Sequence, residues 1–270
     1  MYATAWLVVE RDDRGYTVPT TLYGEAPLLL RMTGRDAGSA TGSGLQIHLV
    51  GGAAGPLGGD RSEMTVDVGV GTRLTVRSVA ASLAQPGRVG TCGTVRSTGA
   101  VDAVVAADAF LDWWPEPLIS VRGSDHVQKT TVAIADETAT VRWVDEVVLG
   151  RHEESSGRLT VHQRFTVGGH PVLHHTVTFD PSTAGIGRSG AAHVVLTALV
   201  FGIASLDASS RVDPGLRAVC YPLSRTCTAW IVLADDLDRA RDALAGLGLE
   251  RDSGPCTTRA RAIDRVETSA

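Results

Sequence analysis

Lysine is all but missing from this chain. Of its 25 basic residues only Lys129 is a lysine, and because it follows Gln128 it cannot complete a phosphate-binding loop, which places glycine directly before lysine. No basic run occurs anywhere and the formal net charge is −5, so the clustered basic face of a nucleic-acid binder is excluded. Cysteine is scarce too. Cys92, Cys220, Cys227 and Cys256 show no C-x-x-C spacing, too few and too scattered for a disulfide scaffold, which fits a reducing cytoplasm. The longest apolar run, residues 191–204, contains His193 and falls short of the roughly 18 residues a membrane span needs. Residues 1–10 lack a basic leader and end at Glu10-Arg11-Asp12-Asp13, so neither a signal peptide nor a membrane anchor is expected. A nucleophile elbow of the G-x-S-x-G type is absent, which removes the lipase and esterase arrangement.

Glycine, by contrast, is plentiful, and residues 51–60, G-G-A-A-G-P-L-G-G-D, are its densest stretch. Before it, residues 45–50 alternate apolar and polar positions. Residues 64–70 do the same after it, with the period of half-buried strands. The glycines therefore join two strands, and Gly58-Gly59-Asp60 presents one carboxylate on a bare main chain. Taken alone, Asp60 is a turn-forming side chain. Further strands are expected over 72–79, 101–106, 118–121, 127–135, 138–149, 158–167 and 172–179. Turn signals separate them, so consecutive pieces are expected to pair antiparallel. Two helices are expected, over 191–201 and 236–247. The second sets Leu237, Ala240, Leu244 and Leu247 on one stripe before Gly248. No linker or repeat divides residues 1–270, which read as a single mostly-β domain.

Two patterns invite an enzyme reading. Gly185-Ile186-Gly187-Arg188-Ser189-Gly190 matches a dinucleotide fingerprint by letters, but Asp180-Pro181-Ser182-Thr183 separates it from the preceding strand and no parallel strand–helix–strand unit surrounds it. His152, His162, His170 and His174 suggest a β-rich metal-dependent hydrolase. Along a strand, however, His174 and His175 point to opposite faces, and His170 and His174 stand about 13 Å apart. A closed metal site is not expected from that spacing.

Three stretches in order resemble the UreD (UreH) family of urease accessory proteins. They are residues 48–60, ending in Gly58-Gly59-Asp60; residues 114–119, opening Trp114-Pro115-Glu116-Pro117; and Leu149-Gly150-Arg151. The likeness covers about residues 45–179. It departs after Arg151, where the family's Gly-Glu is replaced by Ser156-Gly157-Arg158 and the carboxylate is lost or displaced to Glu153 or Glu154. The resemblance implies a non-enzymatic, cytoplasmic nickel chaperone that docks on apo-urease with UreF and UreG, holds no tight cofactor, and passes Ni²⁺ along a water-filled interior. The implied fold is mostly β, with stacked antiparallel or mixed sheets in a β-helix-like arrangement and about two helices. Asp60 is the leading candidate on the nickel route, with Glu116, Asp145, Glu146 and Glu153 behind it. The bland reading of each is a turn carboxylate or a solvated charge. Trp114 reads as core.

Overall fold

In the computed structural model the described residues are 1–36, 44–87, 95–182 and 192–251. The chain begins with β1 (Tyr2–Arg11), β2 (Thr17–Gly24), β3 (Leu28–Asp36), β4 (Gly44–Gly51), β5 (Arg61–Val68) and β6 (Arg73–Ser78). It continues through β7 (Ser82–Ala84), β8 (Ser97–Val105), β9 (Phe110–Trp113), β10 (Leu118–Ser120), β11 (Asp125–Ile134) and β12 (Thr140–Leu149). Then come β13 (Arg158–Val167), β14 (His170–Phe179), β15 (Val194–Phe201), β16 (Ser209–Asp213), β17 (Leu216–Ser224), β18 (Cys227–Ala234) and α1 (Leu237–Gly246). A front sheet of seven strands runs β14-β13-β11-β8-β5-β1-β2. A back sheet of eleven runs β16-β17-β18-β15-β12-β9-β6-β4-β3, with the short β7 and β10 attached beside β12.

From β4 to β13 the chain winds as a solenoid, crossing from back to front and back again. Neighbours within each sheet are consequently parallel: β1–β5–β8–β11–β13 in front and β4–β6–β9–β12 behind. This corrects the expectation that consecutive segments pair antiparallel, because most of them lie in opposite sheets. A parallel pair needs a long return connection, and here the facing strand supplies it where an α/β fold uses a helix. Antiparallel pairs are confined to the ends of the winding, as in β1–β2, β3–β4, β13–β14 and β15–β18.

Period-two alternation fills the space between the sheets. Leu7, Ile47, Val66, Val76, Leu111 and Val132 meet there, and Trp113 stacks on Trp143 at 4.6 Å with Phe165 edge-on to Trp143 at 6.0 Å. The other side of the back sheet holds a second cluster, Trp114, Val144, Leu196, Trp230 and Val232, covered by Ala240, Ala243 and Leu244 of α1. The Asp236 side chain caps α1 by accepting from the Arg239 amide at 2.8 Å. The helix expected over 191–201 is instead β15. It is apolar on both sides because one side faces the front sheet and the other faces α1, and an unbroken apolar run does not distinguish a buried strand from a buried helix. Among the described residues α1 is the only helix.

Glycine is required where the solenoid turns. Gly150 has φ +91° and a Cβ there would collide with the Glu154 carbonyl, whereas Gly169, φ +83°, has open space around it. Replacing either by alanine incurs about 1–2 kcal/mol for the left-handed backbone. Urea unfolding is expected to show a clearly larger loss for Gly150→Ala, the excess being the collision.

Candidate functional site

The three motif segments, far apart in sequence, converge at the end of the solenoid where the back sheet crosses to the front. The Gly58 amide donates to the Gln85 carbonyl at 3.0 Å and the Gly59 amide to the Arg96 carbonyl at 3.2 Å. The Ser120 carbonyl accepts from the amides of both Gly150, at 2.9 Å, and Gly157, at 3.2 Å. A Cβ on Gly58 would lie 2.5 Å from the Gly87 nitrogen, and Gly59 has φ +91°, so both positions demand glycine. Asp60 closes this corner. Its Oδ2 accepts from the Leu57 amide at 2.9 Å, its Oδ1 from the Met1 amino group at 2.7 Å, and its side chain is 14% exposed. At the Gly150 corner, Arg151 Nε donates to Glu154 Oε2 at 2.8 Å and holds that carboxyl below its ordinary pKa. Glu153 extends into solvent with φ +57°.

Glu116 and Glu146 belong to an ionic cluster under α1. Trp114 is buried and its indole N–H donates to Glu146 Oε1 at 2.8 Å. Arg241 grips the fully buried Glu146 carboxylate through Nε at 2.9 Å and Nη2 at 2.6 Å, and its Nη2 reaches Glu116 Oε2 at 3.0 Å. Arg251 Nη2 donates to Glu116 Oε1 at 2.5 Å. Pro115 and Pro117 fix the extended backbone on either side of Glu116, whose own amide donates to Ser78 Oγ at 2.8 Å. Burial opposes ionisation of Glu116, yet Arg251 and Arg241 outweigh it and hold the carboxyl below its usual range. The hydrogen bonds to Glu146, ahead of those to Glu116, raise the Arg241 pKa. Beside this cluster the buried Asp112 accepts from Arg77 Nη2 at 2.7 Å and Arg142 Nε at 2.8 Å, and Arg142 also holds the Glu250 carbonyl at 2.9 Å. Sequence reasoning missed Asp112 and the four arginines; the available signal was Arg241 flanking the apolar stripe of α1.

Asp145 points the other way, since adjacent strand residues face opposite sides. It crosses the interior to the front sheet, where its Oδ2 accepts from Gln163 Nε2, and it also accepts from Trp143 Nε1 at 3.0 Å. Burial, set against those two bonds, raises its pKa to about 6, with the neighbouring Glu146 adding to the rise. Gln163 lies in register with Thr130 of β11, and His126 and Gln128 share that strand's inward face with Thr130. His126 Nδ1 shares a hydrogen bond of 2.9 Å with Ser97 Oγ, and burial lowers its pKa to about 4. The inward side of the front sheet thus carries a lane of polar side chains from Ser97 and His126, near the crossover end, to Gln163 and its partner Asp145, packed beside the buried Leu149, Leu159 and Val161. At its inner end a cavity of about 20 Å³ is lined by Gln163, His175, Thr197 and Tyr221 among aromatic neighbours, room for one water.

The remaining histidines do not gather. His162 hydrogen-bonds Thr176 at 2.7 Å on the outer front face, while His152, His170 and His174 are exposed. Among the described residues no three His, Cys, Asp or Glu side chains are placed to hold a metal ion, and no helix is long and apolar enough to cross a membrane. The glycines of 185–190 lie outside the described residues.

The family described as UreD urease accessory protein matches residues 2–255. The urease accessory protein UreD of Parafrankia sp. (strain EAN1pec) is 33% identical over 271 residues, covering 91% of this chain and 88% of that protein. UreD of Streptomyces coelicolor is 36% identical over 252 residues, covering 90% of this chain and 94% of its own.

Two outcomes follow from the charges. Arg241→Ala, which leaves Glu146 buried without its counter-ion, is expected to lose about 3–5 kcal/mol in urea unfolding, and Glu146→Gln added to Arg241→Met to recover most of it. For Asp145, the folded pKa of about 6 lies above the ordinary 3.8, so the unfolded chain releases its proton first. Wild-type stability then falls relative to Asp145→Asn as pH rises through that window. Unfolding midpoints of the two proteins should diverge between the acid end of the window and neutral pH.

Proposed function

The chain belongs to the UreD family of urease accessory proteins, and from that membership we propose that it is a chaperone for nickel insertion into apo-urease, working with UreF and UreG and catalysing no reaction of its own. A role in urease maturation follows from the family. Supporting the finer reading is one observation above the others: the three motif segments meet at the end of the solenoid from which a lane of polar side chains leads inward. Nickel is the cargo, and a cargo must be bound weakly enough to leave. A site with mixed oxygen and nitrogen ligands prefers copper to nickel, so fidelity comes from guided handover between partners. Hydroxyl, amide and imidazole groups spaced along a lane replace part of an ion's hydration without enclosing it, the compromise that channels make.

Within this proposal the candidate residues divide by orientation. Asp60 stands at the crossover end and Asp145 at the inner end of the lane, and these two carry the nickel-handling assignment. Glu116 and Glu146, with Arg241 and Arg251 on their oxygens, secure α1. Glu153 sits in solvent beside the crossover end, where it serves encounter with a cation or a partner. We place this work in the cytoplasm, a reducing compartment that the scarce, scattered cysteines fit.

The test is urease activation in cells supplied with nickel and expressing the urease and accessory genes, with Asp60→Ala or Asp145→Ala in this chain. Each is expected to lower the nickel content and activity of the isolated urease several-fold while UreF and urease are still recovered in pull-downs. Full activation by both variants, with normal assembly, would remove these residues from the mechanism.

A further inference from the structure

Among the described residues no element packs on the outward face of the front sheet, whereas α1 packs on the back sheet. From β1 to β13 the front strands are in register, and β14 keeps that register up to the shift after Phe165, so outward side chains stand in rows across β1, β5, β8, β11, β13 and β14. Apart from the ion pairs Arg61–Glu63 and Arg96–Asp125, the strand charges of this face are segregated by sign. Asp67 of β5 and Asp102 of β8 lie on one half, Lys129 of β11 and Arg164 of β13 on the other, and all four are exposed. None of the four makes an ion pair among the described residues. On the acidic half Trp6 stacks on Tyr23 at 5.2 Å, each 44% exposed, and Val104 is 50% exposed. The exposed Trp6–Tyr23 pair and Val104 offer apolar area rimmed by polar side chains, the make-up of an interaction surface, and solvated charges of both signs offer electrostatic complementarity to a partner.

We propose that this face pairs with a second copy of this chain, about a two-fold axis that runs along the strands between β8 and β11. That operation reverses strand order and keeps each row at its level, so β5 of one copy lies over β13 of the other and β8 lies over β11. Asp102 then faces the Lys129 and Arg164 side of the partner copy, and the same contact is made twice, as an isologous interface requires. Trp6 comes to lie over the partner's His174. An axis across the strands would instead set acid over acid. A partner of uniform charge would satisfy only one half of the face, whereas a second copy satisfies both. Six strands about 4.8 Å apart and about nine residues long present roughly 900 Å², close to the roughly 800 Å² per partner of a stable complex. The pairing does not depend on nickel delivery.

Sedimentation velocity of the full chain tests it. The expected result is a dimer whose dissociation constant weakens about tenfold with Asp102→Lys and with added salt, and returns towards wild type when Lys129→Asp is combined with Asp102→Lys. Arg164→Glu should weaken it likewise. All these positions are exposed, so circular dichroism should be unchanged. A monomer throughout the micromolar range, or a dimer indifferent to both the reversal and the swap, overturns the proposal.

Discussion

Each crossing from back sheet to front sheet must hydrogen-bond the crossing before it, and the rest of the molecule depends on that. The corners are stacked, so their backbone groups lose water and need partners. Gly58 on Gln85, Gly59 on Arg96, and Gly150 and Gly157 on Ser120 supply them. Such close main-chain approach admits no side chain at Gly58. Stacked corners fix the start of every coil at one level, and the parallel ladders β1–β5–β8–β11–β13 run through without a register shift. Shifts occur in the antiparallel pairs β1–β2, β3–β4, β13–β14 and β17–β18. One repeated backbone requirement thus gathers the three motif segments and aligns the rows of side chains inside and out.

Asp145 and Glu146 show how strand alternation assigns neighbouring carboxylates to different work. Glu146 faces α1 and receives the bidentate grip of Arg241, a pairing whose loss is more costly than its net gain, because it would strand a buried charge. Asp145 faces the interior, with neutral donors from Gln163 and Trp143, and its pKa rises to about 6. One group is committed to fastening a helix. The other changes protonation state in a physiological range and sits where a polar lane ends.

Much of this was legible in the sequence. Alternation located half of the described strands to within a few residues, and the indole of Trp114 read correctly as core. The stripe of Leu237, Ala240 and Leu244 placed α1, and the opposition of His174 and His175 followed from strand geometry. Strand pairing was not legible, because period two reveals which side chain faces inward and nothing about which strand lies alongside. The residues 191–201 misled for a related reason: a strand apolar on both sides has no period to read. The grip of Arg241 and Arg251 on Glu116 joins residues 125 and 135 positions apart, and a charge between two strands does not name its counter-ions in and beyond a distant helix. The Asp60 turn was visible as a turn, since its bond to Leu57 is local; its contact with Met1 was not.

The way the front sheet ends says where association can occur. An open strand edge invites further strands, yet both edges of this sheet are blunted. Edge strand β2 carries Pro19, and its pairing with β1 is bulged between Val8 and Val9. Edge strand β14 carries Pro171, and its pairing with β13 is bulged between Phe165 and Thr166. Proline removes a donor and a bulge breaks the repeat, so strand addition is disfavoured at either side. Among the described residues the face keeps regular spacing, exposed aromatics and charges of both signs that make no ion pair. Threonines such as Thr65, Thr131 and Thr176 hold it extended without requiring burial. Protected edges beside an unprotected face direct contact to the face, where side chains, and not the backbone, choose the partner.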